Sequence, residues 1–552
     1  MRYQNYLLLL CLFSAILFNI GNVTAQSGYR DYNALTQSIQ LLNTQNPEIT
    51  KLHSLAQTEG QLNIWALEIA KGDTENKPGL AVIGGVDGSY VASSELAMRF
   101  AEAIISSSSS DSIGHLLDSV SFYIIPNVSP DATQQYFNDF KYARSLNARD
   151  TDDDRDGRTN EDPFEDLNAD GVITKIRIKD PKGSWMTHPD DERIMIEADK
   201  NEGEKGSYLL IDEGVDNDID GKFNEDGPGG ILFNKNLPYA FDHFTPGAGE
   251  YPVSEKETKG VLDYLYDKWN IFATITFGPS DNLSKPLQYN KSEAEQQIVS
   301  SILETDAVIN AFVSKKYNEI TGEKSNTAVK VQNGGFMQWA YYHYGRLSYS
   351  TPAFFIPEIK VKPDSLNPLK KEGFNADINF LRWADSTQQQ NYFLDWSRID
   401  HPDFPDHEVE IGGFMPYVRN NPPEDILDSL AQTHNEFIVW LARQRPVIKV
   451  INLKKEKISK NVFRIELDVY NDGYLPALSE IGERTRWVKK PKISLTLDKG
   501  QEMLSGRAVQ LLDKLPGDTG HHLTWLVKEK GNVLIQVGAP QTGFQVVEIA
   551  LQ

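Results

Sequence analysis

Residues 79–105, GLAVIGGVDGSYVASSELAMRFAEAII, carry the pattern that decides the fold. A short apolar run ends in glycines, a polar turn follows, and residues 93–105 then repeat apolar side chains at helical spacing. Ser93 or Ser94 is placed to cap that helix. An apolar strand that leads through a turn into a helix predicts a sheet with helices packed against it.

The alternation of apolar runs and helices continues on both sides of this stretch. Strands are predicted at residues 62–69, 79–84, 120–126 and 271–277, and helices at residues 93–105, 254–269 and 422–445. Ser254 and Glu257 are spaced as a capping box for the helix at 254–269. Residues 26–445 are therefore predicted to form one α/β unit, in which a sheet is covered by helices on both faces.

The pattern changes after Pro446, which ends the preceding helix. From Val447 onward, apolar and polar residues alternate with a period of two, and turn residues separate the runs. This alternation is typical of strands that bury one face. Residues 446–552 are therefore predicted to form a small antiparallel β-sandwich, an Ig-like accessory module.

Residues 1–25 have the pattern of a secretory signal peptide. Arg2 precedes an apolar stretch at residues 7–20, and Ala25 supplies a small residue for cleavage. The stretch is shorter than the roughly 20 residues of a membrane span, although retention as an anchor is the alternative. Cys11, the only cysteine, lies in this leader, so the mature chain has no disulfide or thiol nucleophile. We expect an exported protein, secreted or periplasmic, that is not an integral membrane protein.

The formal charge of −23 at pH 7 restricts the possible partners. Nucleic-acid binding requires a basic surface for the phosphates, so this class of function is disfavoured. Cations and basic peptides remain possible ligands for so acidic a chain.

Acidic strings recur between residues 150 and 227. Residues 152–162 read DDDRDGRTNED, residues 216–226 read DNDIDGKFNED, and residues 166–174 read DLNADGVIT. Alternating oxygen-bearing side chains before a glycine suit Ca²⁺, although none of these strings has the final glutamate of an EF-hand loop. We predict structural calcium sites; solvated loops without a cation are the alternative. The predicted ligands are Asp152, Asp154, Asp156, Glu161, Asp166, Asn168, Asp170, Asp216, Asp218, Asp220 and Glu225.

Several short strings resemble, in order, the motifs of the zinc carboxypeptidases of family M14. Residues 84–95 resemble the family's G-x-H-G-x-E segment, residues 124–131 its P-x-x-N-P-D-G, residues 233–238 its N-R-N-F-P, residues 254–258 its S-E-P-E-T, and residues 334–341 its G-G-x-x-D-W-x-Y. The resemblance implies a carboxypeptidase-like α/β fold, in which a mixed sheet is covered by helices on both faces. The C-terminal sandwich resembles the module attached to long bacterial members.

The resemblance also implies a catalytic zinc held by His, Glu and His, with an open position for water. Asp87 stands at the position of the first His, and Tyr90 stands at that of the Glu. The third ligand is expected near Gly278, and no His occurs between His243 and His343. Because an aspartate, a neutral phenol and a glycine make a poor zinc site, we expect that the zinc typical of the family is not bound.

The substrate side of the resemblance is altered as well. Lys235 stands at the family's carboxylate-binding Arg position and keeps the charge without the bidentate fork, while Asn234 is retained. Lys330 stands where the family has a tyrosine that covers the substrate. The candidates for the general base are Glu358 and Glu410; an ion pair at a strand end is the alternative for either.

Three functions follow as hypotheses. We favour a zinc-less pseudopeptidase that binds peptides or polypeptide C-termini. The first alternative is an active metallocarboxypeptidase with unorthodox ligands, such as Asp87 and a distant His. The second is a non-catalytic surface scaffold or adhesion protein. The densest His and carboxylate cluster, HPDFPDHE at residues 401–408, is predicted to be a loop because of its prolines, which disfavours a rebuilt zinc site there.

Overall fold

The computed structural model describes residues 28–152, 157–160, 162–219, 221–224, 227–323, 332–359 and 375–552. Within these ranges the strands form two sheets of six strands and two sheets of four. The predicted signal peptide at residues 1–25 lies outside the described residues. Across the described ranges, no helix combines the length and the apolar character that crossing a bilayer requires.

The central sheet has the strand order β1-β2-β4-β3-β9-β10. Its strands are β1 (Thr50–Gln57), β2 (Asn63–Ile69), β3 (Gly79–Ile83), β4 (Ser121–Ile125), β9 (Ile271–Phe277) and β10 (Leu347–Thr351). The pairs from β4 to β10 are parallel, whereas β1, β2 and β4 pair antiparallel. Along β3, Leu80 and Val82 join one buried cluster and Ala81 and Ile83 join another, so the sheet is buried on both faces.

Helices cover both faces of this sheet, as predicted. They are α1 (Tyr32–Gln45), α2 (Val91–Ser106), α3 (Asp111–Ser119), α4 (Pro130–Gln134), α5 (Lys256–Asp267), α6 (Lys291–Ala294), α7 (Glu304–Thr321), α8 (Phe336–Tyr342), α9 (Ala376–Ser386), α10 (Leu427–Arg443) and α11 (Glu480–Thr485). Residues of α1, α2, α3, α7 and α10 join the cluster on one face, and residues of α5 and α8 join the cluster on the other. The mixed, doubly covered sheet confirms the predicted fold class.

Both predicted helix caps are wrong. Helix α2 is capped by Tyr90 rather than by Ser93 or Ser94, because the Ser93 hydroxyl accepts a hydrogen bond from the Gly85 amide at 2.8 Å. Helix α5 begins after Glu255, and the Ser254 hydroxyl donates to the Glu255 carboxylate at 2.7 Å. In each case a tertiary contact or a neighbouring side chain takes the hydroxyl that would have capped the helix.

A second sheet, which the sequence analysis did not predict, has the order β11-β12-β5-β8-β6-β7. Its strands are β5 (Lys175–Lys179), β6 (Trp185–His188), β7 (Asp191–Glu197), β8 (Tyr208–Asp212), β11 (Phe393–Ile399) and β12 (Val409–Phe414). All of its neighbouring strands are antiparallel. The acidic strings precede β5 and follow β8, so this sheet holds the ends of the acidic loops.

The C-terminal strands form two facing antiparallel sheets, with the orders β13-β14-β18-β16 and β17-β15-β19-β20. They are β13 (Ile448–Ser459), β14 (Val462–Asn471), β15 (Lys492–Leu497), β16 (Glu502–Ser505), β17 (Val509–Leu511), β18 (Thr519–Lys528), β19 (Gly531–Ala539) and β20 (Gly543–Leu551). Trp525 of one sheet and Ile535 of the other share a buried cluster. The predicted β-sandwich is confirmed; only the short strands β16 and β17 were not anticipated.

Candidate functional site

Asp87 lies in the polar turn between β3 and α2 and organises that turn. The residue is 8% exposed. Its Oδ1 accepts hydrogen bonds from the Ser89 amide (3.0 Å), the Ser89 hydroxyl (2.8 Å) and the Ser145 hydroxyl (2.6 Å). The carboxylate oxygen is therefore surrounded by donors from the protein itself, an arrangement that stabilises the charge without a metal ion.

Tyr90 ends the same turn and is the N-cap residue of α2. Burial, and then the nearby Asp87 carboxylate, raise the pKa of the Tyr90 phenol to about 12. The phenol is therefore protonated at neutral pH, and it offers a metal ion a weaker ligand than the carboxylate for which it stands.

Gly278 follows β9 directly, and a side chain at this position would collide with one methyl group of Val86. A Cβ atom at this position would lie 2.4 Å from Cγ2 of Val86, a residue of the Asp87 turn. Such an approach is far closer than van der Waals contact, so any larger residue at 278 requires Val86 to move. The Val86 methyl group therefore obstructs the point from which a third ligand would project.

These residues do not fit a catalytic zinc ion, which needs three convergent ligands. Among the described residues, no group of three or more His, Cys, Asp or Glu side chains is arranged to hold a metal ion. His401 is committed elsewhere: its Nε2 lies 2.9 Å from the Gly214 carbonyl, and its Nδ1 accepts from the Asp403 amide at 3.2 Å.

Asn234 and Lys235 lie together in a turn beside the start of α8. Asn234 is 2% exposed; its Nδ2 donates to Gln332 at 3.0 Å, and its Oδ1 accepts from the Phe336 amide at 2.8 Å. Its amide thus fixes the first turn of α8. Lys235 is half-buried and donates to the Pro246 carbonyl at 3.2 Å. Lys330 lies outside the described residues.

A cavity of about 360 Å³ lies beside this turn. Its aromatic wall is formed by Tyr239, Tyr341 and Tyr342, of which Tyr239 and Tyr342 are stacked with ring centroids 4.2 Å apart. Gln338 Oε1 and the Tyr349 hydroxyl, both buried among the lining residues, have no hydrogen-bond partner within the described part of the chain. A buried polar atom without a partner is unfavourable, so both atoms are suited to meet a ligand.

The cavity is linked to the Lys235 turn by backbone hydrogen bonds. The Gly334 amide donates to the Tyr239 carbonyl at 3.0 Å, and the Leu237 amide donates to the Gly334 carbonyl at 3.1 Å. No lysine or arginine stands among the described residues that line the cavity, whereas Asp306 and Glu293 do. The cavity itself is therefore neutral to acidic. The Lys235 ammonium is bonded to the Pro246 carbonyl, and neither of these residues lines the cavity.

The two candidate general bases lie in different surroundings. Glu410, in β12, pairs with Arg177 of β5 across the second sheet, with 2.8 Å between Oε2 and Nε. This is the ion pair that was considered as the alternative. Glu358 is exposed and follows β10 after several intervening residues. The position directly after that strand is taken by Pro352 and Ala353 rather than by a carboxylate.

The described parts of the three acidic loops share one hydrogen bond. The first aspartate of each string, Asp152, Asp166 or Asp216, accepts a hydrogen bond from the amide of the glycine that ends the D-x-D-x-D-G pattern or its variant, at 3.0, 2.7 and 2.9 Å. All of these glycines have positive φ, at 99°, 82° and 89°. The predicted ligands Asp154, Asp156, Glu161, Asp220 and Glu225 lie outside the described residues. Asn168, Asp170 and Asp218 lie within them.

Sequence analysis missed the polar residues of α7 at the cavity. Asp306, Asn310 and Ser314 repeat at helical spacing along α7 and are all buried. A polar stripe on an otherwise core-facing side of a helix was the available signal. Gln338 stood in a quoted motif without being singled out.

Comparisons with known proteins place these features in a family. The sequence profile described as zinc carboxypeptidase, Peptidase_M14, matches residues 35–352, and a domain of unknown function, DUF8731, matches residues 447–550. Carboxypeptidase D of Anas platyrhynchos is 28% identical over 110 residues, which are 19% of this chain and only 8% of that protein.

Solved structures of similar proteins include thrombin activatable fibrinolysis inhibitor (12% identity, TM-score 0.42), covering 76% of this chain and 75% of that one. They also include carboxypeptidase A from Helicoverpa armigera (11% identity, TM-score 0.38), covering 64% and 72%.

Proposed function

Since the chain belongs to the zinc carboxypeptidase family, we propose that it is an exported member that binds peptides or polypeptide C-termini without zinc-dependent hydrolysis. The observation that carries this proposal is the filled space beside Gly278, where a Val86 methyl group stands in the way of any metal-binding side chain. Asp87 and Tyr90 then leave one hydrogen-bonded carboxylate and one protonated phenol, which are too few ligands for zinc.

The cavity and Lys235 support the peptide-binding part of the proposal. A terminal carboxylate would draw the Lys235 ammonium away from the Pro246 carbonyl, and the terminal side chain would enter the cavity of about 360 Å³. The partnerless Gln338 Oε1 favours a side chain that brings a hydrogen-bond donor, and the Tyr349 hydroxyl can accept or donate. We therefore expect neutral, donor-bearing residues such as tyrosine or glutamine to bind better than aspartate or glutamate, because Asp306 and Glu293 repel an anion.

The test is calorimetric titration of the purified full chain with N-benzoylglycyl dipeptides that end in Tyr, Gln, Leu or Glu. Amidation of the terminal carboxylate and the Lys235→Met substitution should each weaken binding of the Tyr peptide about tenfold or more, the size of a lost charge-assisted hydrogen bond. Lys499→Met removes the same charge from an exposed turn of the sandwich and should leave the affinity unchanged. Equal affinity for the free acid and the amide would contradict the assignment of Lys235.

The loss of hydrolysis is tested separately on the same preparation. Metal content is measured, and release of the terminal amino acid from each dipeptide is followed with and without a chelator. Stoichiometric zinc together with chelator-sensitive release would overturn the pseudopeptidase proposal and restore the active-enzyme hypothesis, for which Asp87→Ala should abolish turnover. The scaffold hypothesis predicts that none of the dipeptides binds.

We also propose that the acidic loops bind calcium outside the cell. Support comes from the shared contact between the leading aspartate and the glycine amide in the three loops. Extracellular Ca²⁺ is abundant enough to fill weak sites of this kind. Export itself rests on the leader at residues 1–25 and is tested by N-terminal sequencing of the protein recovered from the culture medium or periplasm.

A further inference from the structure

Helix α11 belongs to the chain segment of the β-sandwich but packs against the α/β unit. Ile481 of this helix is 2% exposed and shares a buried cluster with Ile302, Leu303 and Tyr341. Ile302 and Tyr341 also line the ligand cavity. The sandwich therefore supplies part of the layer directly behind the cavity wall.

A buried carboxylate joins the same two units. Asp306 lines the cavity and is 1% exposed. Its Oδ1 accepts from the Glu480 amide at 2.9 Å, and its Oδ2 accepts from the Ile481 amide at 2.9 Å and from the Tyr341 hydroxyl at 2.8 Å. A buried carboxylate is strongly unfavourable unless its hydrogen bonds are satisfied. Here two of the donors come from α11, so the wall around Asp306 and Tyr341 depends on the sandwich.

Contacts in the opposite direction hold α11 in place. Glu480 Oε2 accepts from the Thr305 amide at 3.0 Å and from the Thr305 hydroxyl at 2.7 Å. The Arg484 guanidinium donates to the Ala294 carbonyl at 2.7 Å and to the Gln296 carbonyl at 2.9 Å. These bonds involve both ends of the helix, so they fix the position of α11 on the α/β unit.

We infer that α11 is a positioning element of the ligand cavity: the sandwich holds Asp306 and Tyr341 in the arrangement that the ligand meets. The inference rests on the proposed function, because it concerns the same cavity. Docking of α11 and binding of a peptide are then linked, and each should strengthen the other by the same factor. The sandwich would then affect the affinity for the ligand, although it contributes none of the residues proposed to contact the ligand.

The first experiment needs no ligand and uses the full chain. Ile481→Ala removes the contact behind Tyr341, and Ile535→Ala makes the same chemical change in the sandwich core, away from the cavity. Amide hydrogen exchange is measured at Leu303, whose N–H donates to the Tyr341 hydroxyl at 3.0 Å. We expect exchange about tenfold faster or more in Ile481→Ala and within about twofold of the parent chain in Ile535→Ala.

Equal acceleration in the two variants would overturn the inference, since it would reflect general loss of stability. Should either alanine variant fail to fold, the pair Ile481→Val and Ile535→Val is compared in the same way. A smaller change in the same direction, confined to Ile481→Val, supports the inference, and no difference between the valine variants overturns it.

The second experiment uses N-benzoylglycyl-tyrosine as the probe. We expect Ile481→Ala to raise its Kd about fivefold or more while Ile535→Ala leaves it within about twofold, and we expect the bound probe to slow exchange of the Glu480 and Ile481 amides in the parent chain. Binding that leaves those amides unaffected would refute the coupling. If no dipeptide binds the parent chain, the proposed function fails, and the ligand-free exchange result still decides whether α11 positions the cavity wall.

Discussion

The contact between Val86 and the Cβ position of Gly278 allows a quantitative test of the claim that the third zinc-ligand position is filled. Gly278→Ala places a methyl group 2.4 Å from Val86 Cγ2, and overpacking of this kind costs about 1–3 kcal/mol. Val86 is buried, so Val86→Ala removes two methyl carbons, at about 0.8 kcal/mol each, and loses about 1.6 kcal/mol before any cavity contribution.

The double variant should be far less destabilised than the sum of the single variants. Once Val86 is shortened, the new methyl group at 278 occupies space that the valine has vacated. Additive changes would give a loss of about 2.6–4.6 kcal/mol, whereas we expect about 1.5–2 kcal/mol, a coupling of about 1–3 kcal/mol. Urea unfolding followed by tryptophan fluorescence measures all four chains of this cycle.

Gly79→Ala provides the matched control. Its new Cβ would meet Tyr123 at 2.6 Å instead of Val86, and it lies at the opposite end of β3 from the Asp87 turn. Gly79→Ala and Val86→Ala should therefore add within about 0.5 kcal/mol. Additivity in the Gly278 cycle as well, or a Gly278→Ala chain as stable as the parent, would refute the reasoning that the position is closed.

Three further predictions concern stability. Glu68 is buried; burial alone would raise its pKa, but Lys268 at 2.7 Å and His53 at 3.0 Å outweigh this and lower it from 4.5 to about 2. The carboxylate therefore stabilises the fold above about pH 4.5 and loses this effect as the pH falls towards 2. Lys268→Met should lower the free energy of unfolding by about 3 kcal/mol at pH 7. In urea titrations it should also reduce the loss of stability between pH 4.5 and pH 2. Burial lowers the pKa of His434 from 6.5 to about 4, so between these values the unfolded chain binds a proton that the folded chain does not. The free energy of unfolding should therefore fall as the pH is lowered from 6.5 to 4. His434→Gln should remove this slope, and an unchanged slope would contradict the prediction. If the acidic loops bind Ca²⁺ with a Kd of about 10⁻⁴ to 10⁻³ M, each ion at about 1 mM adds about 0.4–1.4 kcal/mol, so a chelator should lower the Tm, and identical melting curves would count against calcium.

The central sheet was predictable because its strands are buried on both faces. Residues 79–83, 121–125 and 271–277 are continuous apolar runs, and such runs identify buried strands without reference to their partners. The second sheet gave no comparable signal. Strand β8 is only half-buried throughout, and β5 pairs with β12, which lies far away in the sequence. Pairing of that kind is decided by tertiary contacts that local periodicity does not report.

In the candidate site, too, features set by a local string could be predicted, whereas contacts between distant residues could not. Asp87 and Tyr90 could be predicted as altered metal positions from a local string, because the string itself sets the spacing of the ligands. The obstruction at Gly278 was not visible, since Val86 reaches it only when the turn after β3 packs beside the end of β9. The hydrogen bond from the Glu480 amide to Asp306 likewise joins residues that are distant in sequence.

The proposed obstruction at Gly278 does not involve the residues that line the cavity, and for this reason we propose binding rather than cleavage. Val86 fills space next to the end of β9, whereas the cavity is walled by tyrosines and by Asp306, which α11 holds from behind. Hydrolysis needs an activated water at the position of the metal ion. Recognition of a peptide end needs only the cavity and a cation that can reach its carboxylate, the part proposed for Lys235. A chain that obstructs the metal position while leaving buried, partnerless polar atoms in the cavity is therefore suited to hold a peptide end.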